Sequence, residues 1–191
     1  MKRYLVPMLV LAVGCGPKAR YIDPDAKSSV EGTGIESRDV RSIVFEMTQS
    51  ILENPVITGS KTAPRMAVMP VENRTRFLID QDIFTAMISD QIISGAAGRI
   101  AVVNRDLMDQ IMQERKMKSS GVVDSQGPQK ALAGVDYFLE GELHSLSAST
   151  NSRQSDYVVA RFQLTDSESG VVVWSQSFEM KKEGSWGVMY Q

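Results

Sequence analysis

The residue types that most often carry out chemistry are scarce in this chain of 191 residues, which has one cysteine and one histidine. The histidine, His144, is followed by Ser145 in a predicted strand, and consecutive strand residues point to opposite faces, so they cannot form a catalytic dyad. One thiolate and one imidazole leave only carboxylates as metal ligands, and the sequence has no calcium-loop spacing. We therefore predict no catalytic residue, no metal site and no cofactor.

One pair of carboxylates has a spacing that suits acid–base chemistry. Glu140 and Glu142 are two positions apart in the same predicted strand, so they share one face at about 7 Å from each other. This separation falls within the range of the paired carboxylates of glycosidases. No other pattern indicates a sugar-binding cleft, so a lipid-anchored hydrolase is a lesser alternative. We expect the pair to lie on a solvated edge or a contact face.

The single cysteine, Cys15, follows a stretch that is typical of an export signal. A basic head is followed by residues 4–13, which carry no charge and are too few to span a bilayer. Residues 12–15, Ala-Val-Gly-Cys, resemble a bacterial lipobox, although Ala12 stands where leucine is usual. The resemblance implies removal of a lipoprotein signal peptide, residues 1–14, and attachment of acyl chains such as palmitate at Cys15. Ordinary signal cleavage, which leaves a free thiol, is the alternative.

The residue after the cysteine, Gly16, is not the aspartate that usually directs such lipoproteins to the inner membrane. We therefore expect a protein anchored in the outer membrane and facing the periplasm. Residues 15–38 are poor in apolar side chains and interrupted by proline and glycine, which predicts a flexible tether. A coil of this length averages about 25–30 Å end to end.

The mature chain is mildly acidic. Loss of Lys2 and Arg3 with the signal peptide leaves 19 Lys and Arg against 23 Asp and Glu, a formal net charge of −4. Nucleic-acid affinity depends on neutralising phosphates with basic side chains. We therefore expect no nucleic-acid partner.

Residues 39–191 are long enough for one domain with a hydrophobic core, and their periodicity predicts an α/β fold. We expect a mixed sheet with helices packed on it and a C-terminal antiparallel hairpin. Predicted helices cover residues 39–52 with Ser37 as the N-cap, residues 80–95, a segment capped by Asn104, and residues 128–133. Predicted strands cover residues 65–70, 99–103, 136–146, 157–164 and 171–180. Residues 71–80 are expected to form an irregular loop, and residues 181–191 a loosely attached tail.

Four segments, taken in order, resemble the LpoB family of penicillin-binding-protein activators. They are "RMAVMPVENRTRFLIDQDIFTAMISDQI", "GRIAVVNRDLMDQIMQERKMKSSGVVD", "GVDYFLEGEL" and "SGVVVWSQ". The family is related to the N-terminal domain of TolB and to CsgG, and the resemblance covers roughly residues 65–177. It implies a single LpoB-like domain over residues 39–191 and no enzymatic activity of its own.

The resemblance also implies a function. LpoB-type proteins are outer-membrane lipoproteins that bind and activate a bifunctional peptidoglycan synthase, a penicillin-binding protein, from the periplasmic side. They therefore act in peptidoglycan synthesis, cell-wall biogenesis and the maintenance of cell shape. The predicted tether departs from the family, because the best-known members have a long, proline-rich one. A CsgG-like or TolB-like envelope or secretion adaptor is the alternative, although no propeller repeats follow the domain.

The family supplies no partner-binding residue that can be transferred position by position. Our candidates are therefore polar and charged residues that we expect to be exposed on one strand and one loop, where they can provide charge complementarity. They are Asn73, Arg74, Arg76, Glu140 and Glu142. The predicted partners are a bifunctional penicillin-binding protein and, through the N-terminal lipid, the membrane.

Overall fold

The computed structural model describes residues 20–27 and 32–185. The predicted signal peptide, the lipidation site Cys15 and the last residues of the predicted tail, 186–191, lie outside the described residues. None of the helices found in the described ranges is long and apolar enough to cross a membrane.

The described residues form four helices and six strands. The helices are α1 (Ser37–Glu53), α2 (Pro55–Thr58), α3 (Gln81–Gly95) and α4 (Met108–Ser119). The strands are β1 (Arg65–Val68), β2 (Glu72–Arg74), β3 (Ala101–Val102), β4 (Tyr137–Ser149), β5 (Arg153–Asp166) and β6 (Val172–Ser185).

The strands form one mixed sheet in the order β3-β1-β4-β5-β6, with β2 also paired to β4. The pairs β1–β3, β1–β4 and β2–β4 are parallel. The pairs β4–β5 and β5–β6 are antiparallel, and β5 and β6 form the C-terminal hairpin. The predicted fold class, a mixed sheet with helices and a terminal antiparallel hairpin, is confirmed.

The core lies between one face of the sheet and helices α1 and α3. Alternate residues of β5 face the core and are at most 1% exposed; they are Val158, Ala160, Phe162 and Leu164. Helix α1 contributes Met47 and Ile51, both fully buried. Gly141 faces this side of β4, where a Cβ atom would lie 2.6 Å from Phe162 Cε1. The Phe162 ring therefore occupies the space that a side chain at position 141 would need.

A bidentate ion pair joins the starts of β1 and β4. Arg65 donates from Nη2 to Asp136 Oδ1 at 2.7 Å and from Nε to Oδ2 at 3.1 Å. The Arg65 side chain lowers the pKa of the Asp136 carboxyl by donating these hydrogen bonds. The Arg65 backbone N–H adds a third donor to Asp136 Oδ2, so the pair also fixes the entry of β1 into the sheet.

The structure corrects the predicted cap of the first helix. Glu36, not Ser37, is the N-cap residue, because the Glu36 and Asp39 side chains form a reciprocal capping box with the backbone. Ser37 is the first helical residue, and its hydroxyl donates to the Pro24 carbonyl at 2.8 Å.

The prediction that Asn104 caps the fourth helix, α4, is only partly right. Its Oδ1 accepts from the backbone N–H groups of residues 106 and 107, one turn before α4 begins.

Three further expectations are wrong. Residues 128–133 form no helix; all are exposed, so packing does not stabilise this short segment. Residues 72–74, predicted as loop, form β2 because β4 offers them a parallel ladder. Residues 181–185, predicted as loose tail, extend β6 and pair with residues 153–157 of β5.

The end of the predicted tether contacts the domain. Thr33 is 8% exposed and its Oγ1 accepts a hydrogen bond from Gln154 Nε2 at 3.2 Å. Lys182 Nζ donates to the Gly34 carbonyl at 3.0 Å and also pairs with Asp39. Residues 32–36 are therefore held against β5 and β6, although the division into signal peptide, tether and domain remains a prediction.

Candidate functional site

The second face of the sheet, opposite α1 and α3, carries the polar side chains of β2, β4, β5 and β6. Register places Glu142 of β4 between Glu72 of β2 and Arg161 of β5. In the same way His144 lies beside Arg74, and Glu140 lies beside Gln163. We call this surface the open face.

Glu142 is the centre of a charge network on the open face. Its Oε1 accepts from Arg161 Nη1 at 3.1 Å, and its Oε2 lies 3.1 Å from His144 Nε2 and 3.5 Å from Arg74 Nη1. Arg74 also donates from Nη2 to Glu72 Oε2 at 2.6 Å. The hydrogen bond from His144 and, after it, the one from Arg161 lower the pKa of Glu142, although partial burial opposes them.

Glu140 differs from its neighbours on this face. Its Oε2 accepts from two neutral donors, Gln163 Nε2 at 3.0 Å and Thr165 Oγ1 at 3.3 Å. Within the described ranges, no basic side chain forms an ion pair with it. The side chain is exposed, so its charge faces solvent.

A shallow cavity of about 520 Å³ opens between these residues, and we call it the β1–β2 pocket. It forms where the chain passes from β1 to β2 through Met69 and Pro70, beside the backbone of Gly141 in β4. Its charged lining consists of Glu72, Arg74, Glu140, Glu142 and Arg161. The pocket therefore combines an apolar rim with three carboxylates and two guanidinium groups.

The structure brings together three of the five predicted partner-binding residues. Arg74, Glu140 and Glu142 all line the β1–β2 pocket. Asn73 instead shapes the following turn: its Oδ1 accepts from Thr75 N at 2.9 Å and its Nδ2 donates to the Phe77 carbonyl at 2.8 Å. The Asn73 side chain therefore folds back on its own backbone.

Arg76 lies away from the pocket and pairs with a buried carboxylate. Its Nη2 and Nε donate to Asp156 at 2.6 and 3.0 Å, and the Asp156 side chain is 0% exposed. Burial by itself would raise the pKa of Asp156, but hydrogen bonds from Ser147, Thr33 and Arg76 outweigh it and hold that pKa below its ordinary value. Asp156 lies on the same face of β5 as Val158, so this ion pair belongs to the core face of the sheet.

Sequence reasoning missed Arg161, His144 and Glu72 as members of the site. Glu72 and Arg161 become neighbours of Glu142 only through strand register, which pairs residues that lie far apart in the chain. His144 is two positions from Glu142 on the same strand, so the period of two in β4 was a usable signal for it. The alternation of β5 was a usable signal, because it places Arg161 on the face opposite Phe162.

The network has consequences for chemistry. A general acid needs a carboxyl pKa that is raised toward neutrality, whereas the pKa of Glu142 is lowered. Glu142 is therefore unsuited to act as the general acid of a glycosidase. Among the described residues no group of three or more His, Cys, Asp or Glu side chains is placed to hold a metal ion. The arrangement suits recognition of charged groups on another molecule.

The fold and the open face define a small α/β domain with a charged surface pocket suited to binding. The family model of the peptidoglycan-synthase activator LpoB matches residues 39–180. The match covers most of the chain, and this protein belongs to that family. The recognition made from the four sequence segments is confirmed.

Comparison with solved structures gives likenesses at low identity. The C-terminal domain of LpoB from Salmonella enterica is 15% identical, with a TM-score of 0.48, over 74% of this chain and 98% of that one. The corresponding domain from Escherichia coli is 16% identical, with a TM-score of 0.47 and the same coverage. Lipoprotein GNA1162 from Neisseria meningitidis is 18% identical, with a TM-score of 0.38, over 63% of this chain and 83% of that one. Comparison with curated protein sequences gives no match.

Proposed function

We propose that this protein is a lipid-anchored activator that binds a bifunctional peptidoglycan synthase in the periplasm. The observation that carries the proposal is the family match over residues 39–180, which spans the folded part of the chain. Activators of this family supply no reaction of their own, and the lowered pKa of Glu142 agrees with a binding role for the open face.

The proposed attachment is a lipid on Cys15 in the outer membrane. It is supported by the basic head, the apolar run and the lipobox-like residues 12–15. Mass spectrometry of the mature protein tests it: we expect an N-terminal Cys15 that carries acyl chains, and a bare thiol at Cys15 would contradict the anchor.

The proposed contact surface is the part of the open face around the β1–β2 pocket. Arg74, Glu140 and Glu142 converge there; Arg74 and Glu140 are exposed, Glu142 is half-buried, and hydrogen bonds and ion pairs hold their charges in place. Electrostatic complementarity of this kind gives specificity and fast association. Asn73 and Arg76 support the surface indirectly, through the turn and through the buried pair with Asp156.

Activation follows from linkage. A binding protein can favour an active conformation of the synthase only if it binds that conformation more tightly than the resting one. No step of the reaction needs a residue of this chain. Anchoring raises the local concentration of the domain wherever the tether allows the two proteins to meet.

The test uses the full chain, purified in detergent, with a bifunctional penicillin-binding protein from the same organism. We expect a measurable complex and faster glycan polymerisation, by about fivefold or more if the coupling is of ordinary size. Absence of binding to every bifunctional synthase of the organism would contradict the proposed function. A polymerisation rate that stays unchanged in the complex would contradict activation while leaving binding intact.

A further inference from the structure

The charges of the β1–β2 pocket are not equally satisfied. Glu142 pairs with the guanidinium groups of Arg161 and Arg74 and contacts the His144 ring, and Glu72 is paired with Arg74. Within residues 20–27 and 32–185, the donors to Glu140 are neutral, Gln163 and Thr165. With three carboxylates against two guanidinium groups, the charged lining carries a net charge of −1. Among the residues that the structure describes, Glu140 is the lining carboxylate without an ion pair.

The walls of the pocket next to this carboxylate are apolar. Met69, which is 37% exposed, and Pro70 form the rim between β1 and β2. Long basic side chains bury their methylene stems on such surfaces while the charged end stays on a polar group. An arginine or lysine side chain therefore fits this site: its charged end can pair with the carboxylate, and its methylene stem can pack on the apolar rim.

We infer that the β1–β2 pocket receives a basic side chain of the synthase, whose charged end binds Glu140 and whose stem lies on Met69 and Pro70. The inference rests on the proposed function and specifies its contact chemistry. Arginine fits best, because its guanidinium can donate two parallel hydrogen bonds to one carboxylate. Glu72 and Glu142 already form ion pairs with arginines of this chain, so they do not compete with Glu140 for the incoming cation.

The experiment compares binding of the synthase to the full-length wild-type chain and to Glu140→Gln. The amide keeps an oxygen that can accept from Gln163, so the substitution removes the charge with little change of shape. We expect the dissociation constant to rise about tenfold or more, because the basic side chain loses its counter-charge in the contact. Glu168→Gln, in the exposed turn between β5 and β6, makes the same change of net charge and is expected to leave affinity unchanged.

The outcomes distinguish failure of the proposed function from failure of this inference about the pocket. If wild-type protein fails to bind any bifunctional synthase, the proposed function is wrong. If wild-type protein binds and Glu140→Gln binds equally well, this inference alone is wrong. A larger loss in Arg161→Gln than in Glu140→Gln would mean that the occupant is acidic, and self-association of the wild-type chain that Glu140→Gln abolishes would mean that a second copy occupies the pocket. Either result overturns the assignment.

Discussion

Replacement of Arg76 by methionine is expected to destabilise the domain strongly, because it strands a buried charge. Asp156 is 0% exposed, and Arg76 gives it two hydrogen bonds at 2.6 and 3.0 Å. Removal of one partner from a buried ion pair costs about 3–5 kcal/mol. Asp156 keeps its hydrogen bonds from Ser147 and Gln154, and the Arg76 side chain is 45% exposed. These two facts reduce the expected loss to about 2–3 kcal/mol.

The measurement is urea or thermal unfolding of the purified chain near pH 7. A loss of that size lowers the melting temperature of a domain with about 150 residues by about 4–12 °C. Arg74→Met is the matched control, since it makes the same substitution two positions earlier. Arg74 pairs with carboxylates on the open face, where solvent screens the interaction, so its loss should leave the melting temperature nearly unchanged.

Two results would refute this reasoning. The first is an equal loss of stability in Arg76→Met and Arg74→Met. The second comes from a double-mutant cycle with Asp156→Asn, which removes the buried charge: additive effects of Arg76→Met and Asp156→Asn would show that the pair is not coupled. The pH dependence gives an independent check. Because the native pKa of Asp156 is lowered, its contribution is present above the ordinary carboxyl pKa and disappears as the pH falls through the native pKa, so the difference between wild type and Arg76→Met should shrink in acid.

Three further predictions concern packing, the chain entry and acid stability. Gly141→Ala should lower stability by about 1–3 kcal/mol in urea unfolding, because its Cβ would lie 2.6 Å from Phe162 Cε1; Gly134→Ala, whose nearest contact would be 3.6 Å, is the tolerated control. Lys182→Met should speed amide hydrogen exchange in residues 32–36 selectively, and uniform exchange across the domain would contradict their attachment through this lysine. The lowered pKa of Asp136 means that its ion pair stabilises the fold above the ordinary carboxyl pKa and is lost as the pH falls; Asp136→Asn should therefore flatten the acid limb of a stability–pH curve, and an unchanged limb would contradict this.

The elements that could be predicted from the sequence are those whose own residues carry the periodicity. Every second residue from Val158 to Leu164 is apolar, and the structure buries this face of β5. Helix α1 repeats apolar residues at helical spacing and buries them against the sheet. Such segments fold as predicted because their burial pattern is set by local geometry, with a period of 2 or 3.6 residues.

The elements that could not be predicted depend on neighbours that are distant in the chain. The residues of β2, Glu72–Arg74, have no apolar alternation and are a strand only because β4 provides hydrogen-bond partners 70 positions away. Residues 128–133 begin with proline and end before glycine, as a helix does, yet no apolar face of theirs is buried. Local end signals without packing do not stabilise six residues as a helix.

The candidate site shows the same limit at the level of single side chains. Arg74 and Arg76 are equivalent in the sequence, and both were predicted to contact a partner. The Asn73 side chain holds the turn that separates them, so Arg74 stays on the open face while Arg76 reaches Asp156 on the core face. A loss of activity in an Arg76 variant is therefore explained by lost stability. A loss of activity in a Glu140 variant indicates a lost contact with the partner, because the Glu140 side chain is exposed and forms no ion pair within the described residues. The stabilising residue Arg76 and the proposed contact residue Glu140 therefore lie on opposite faces of the sheet. Substitutions on the open face can for this reason test binding without destabilising the fold.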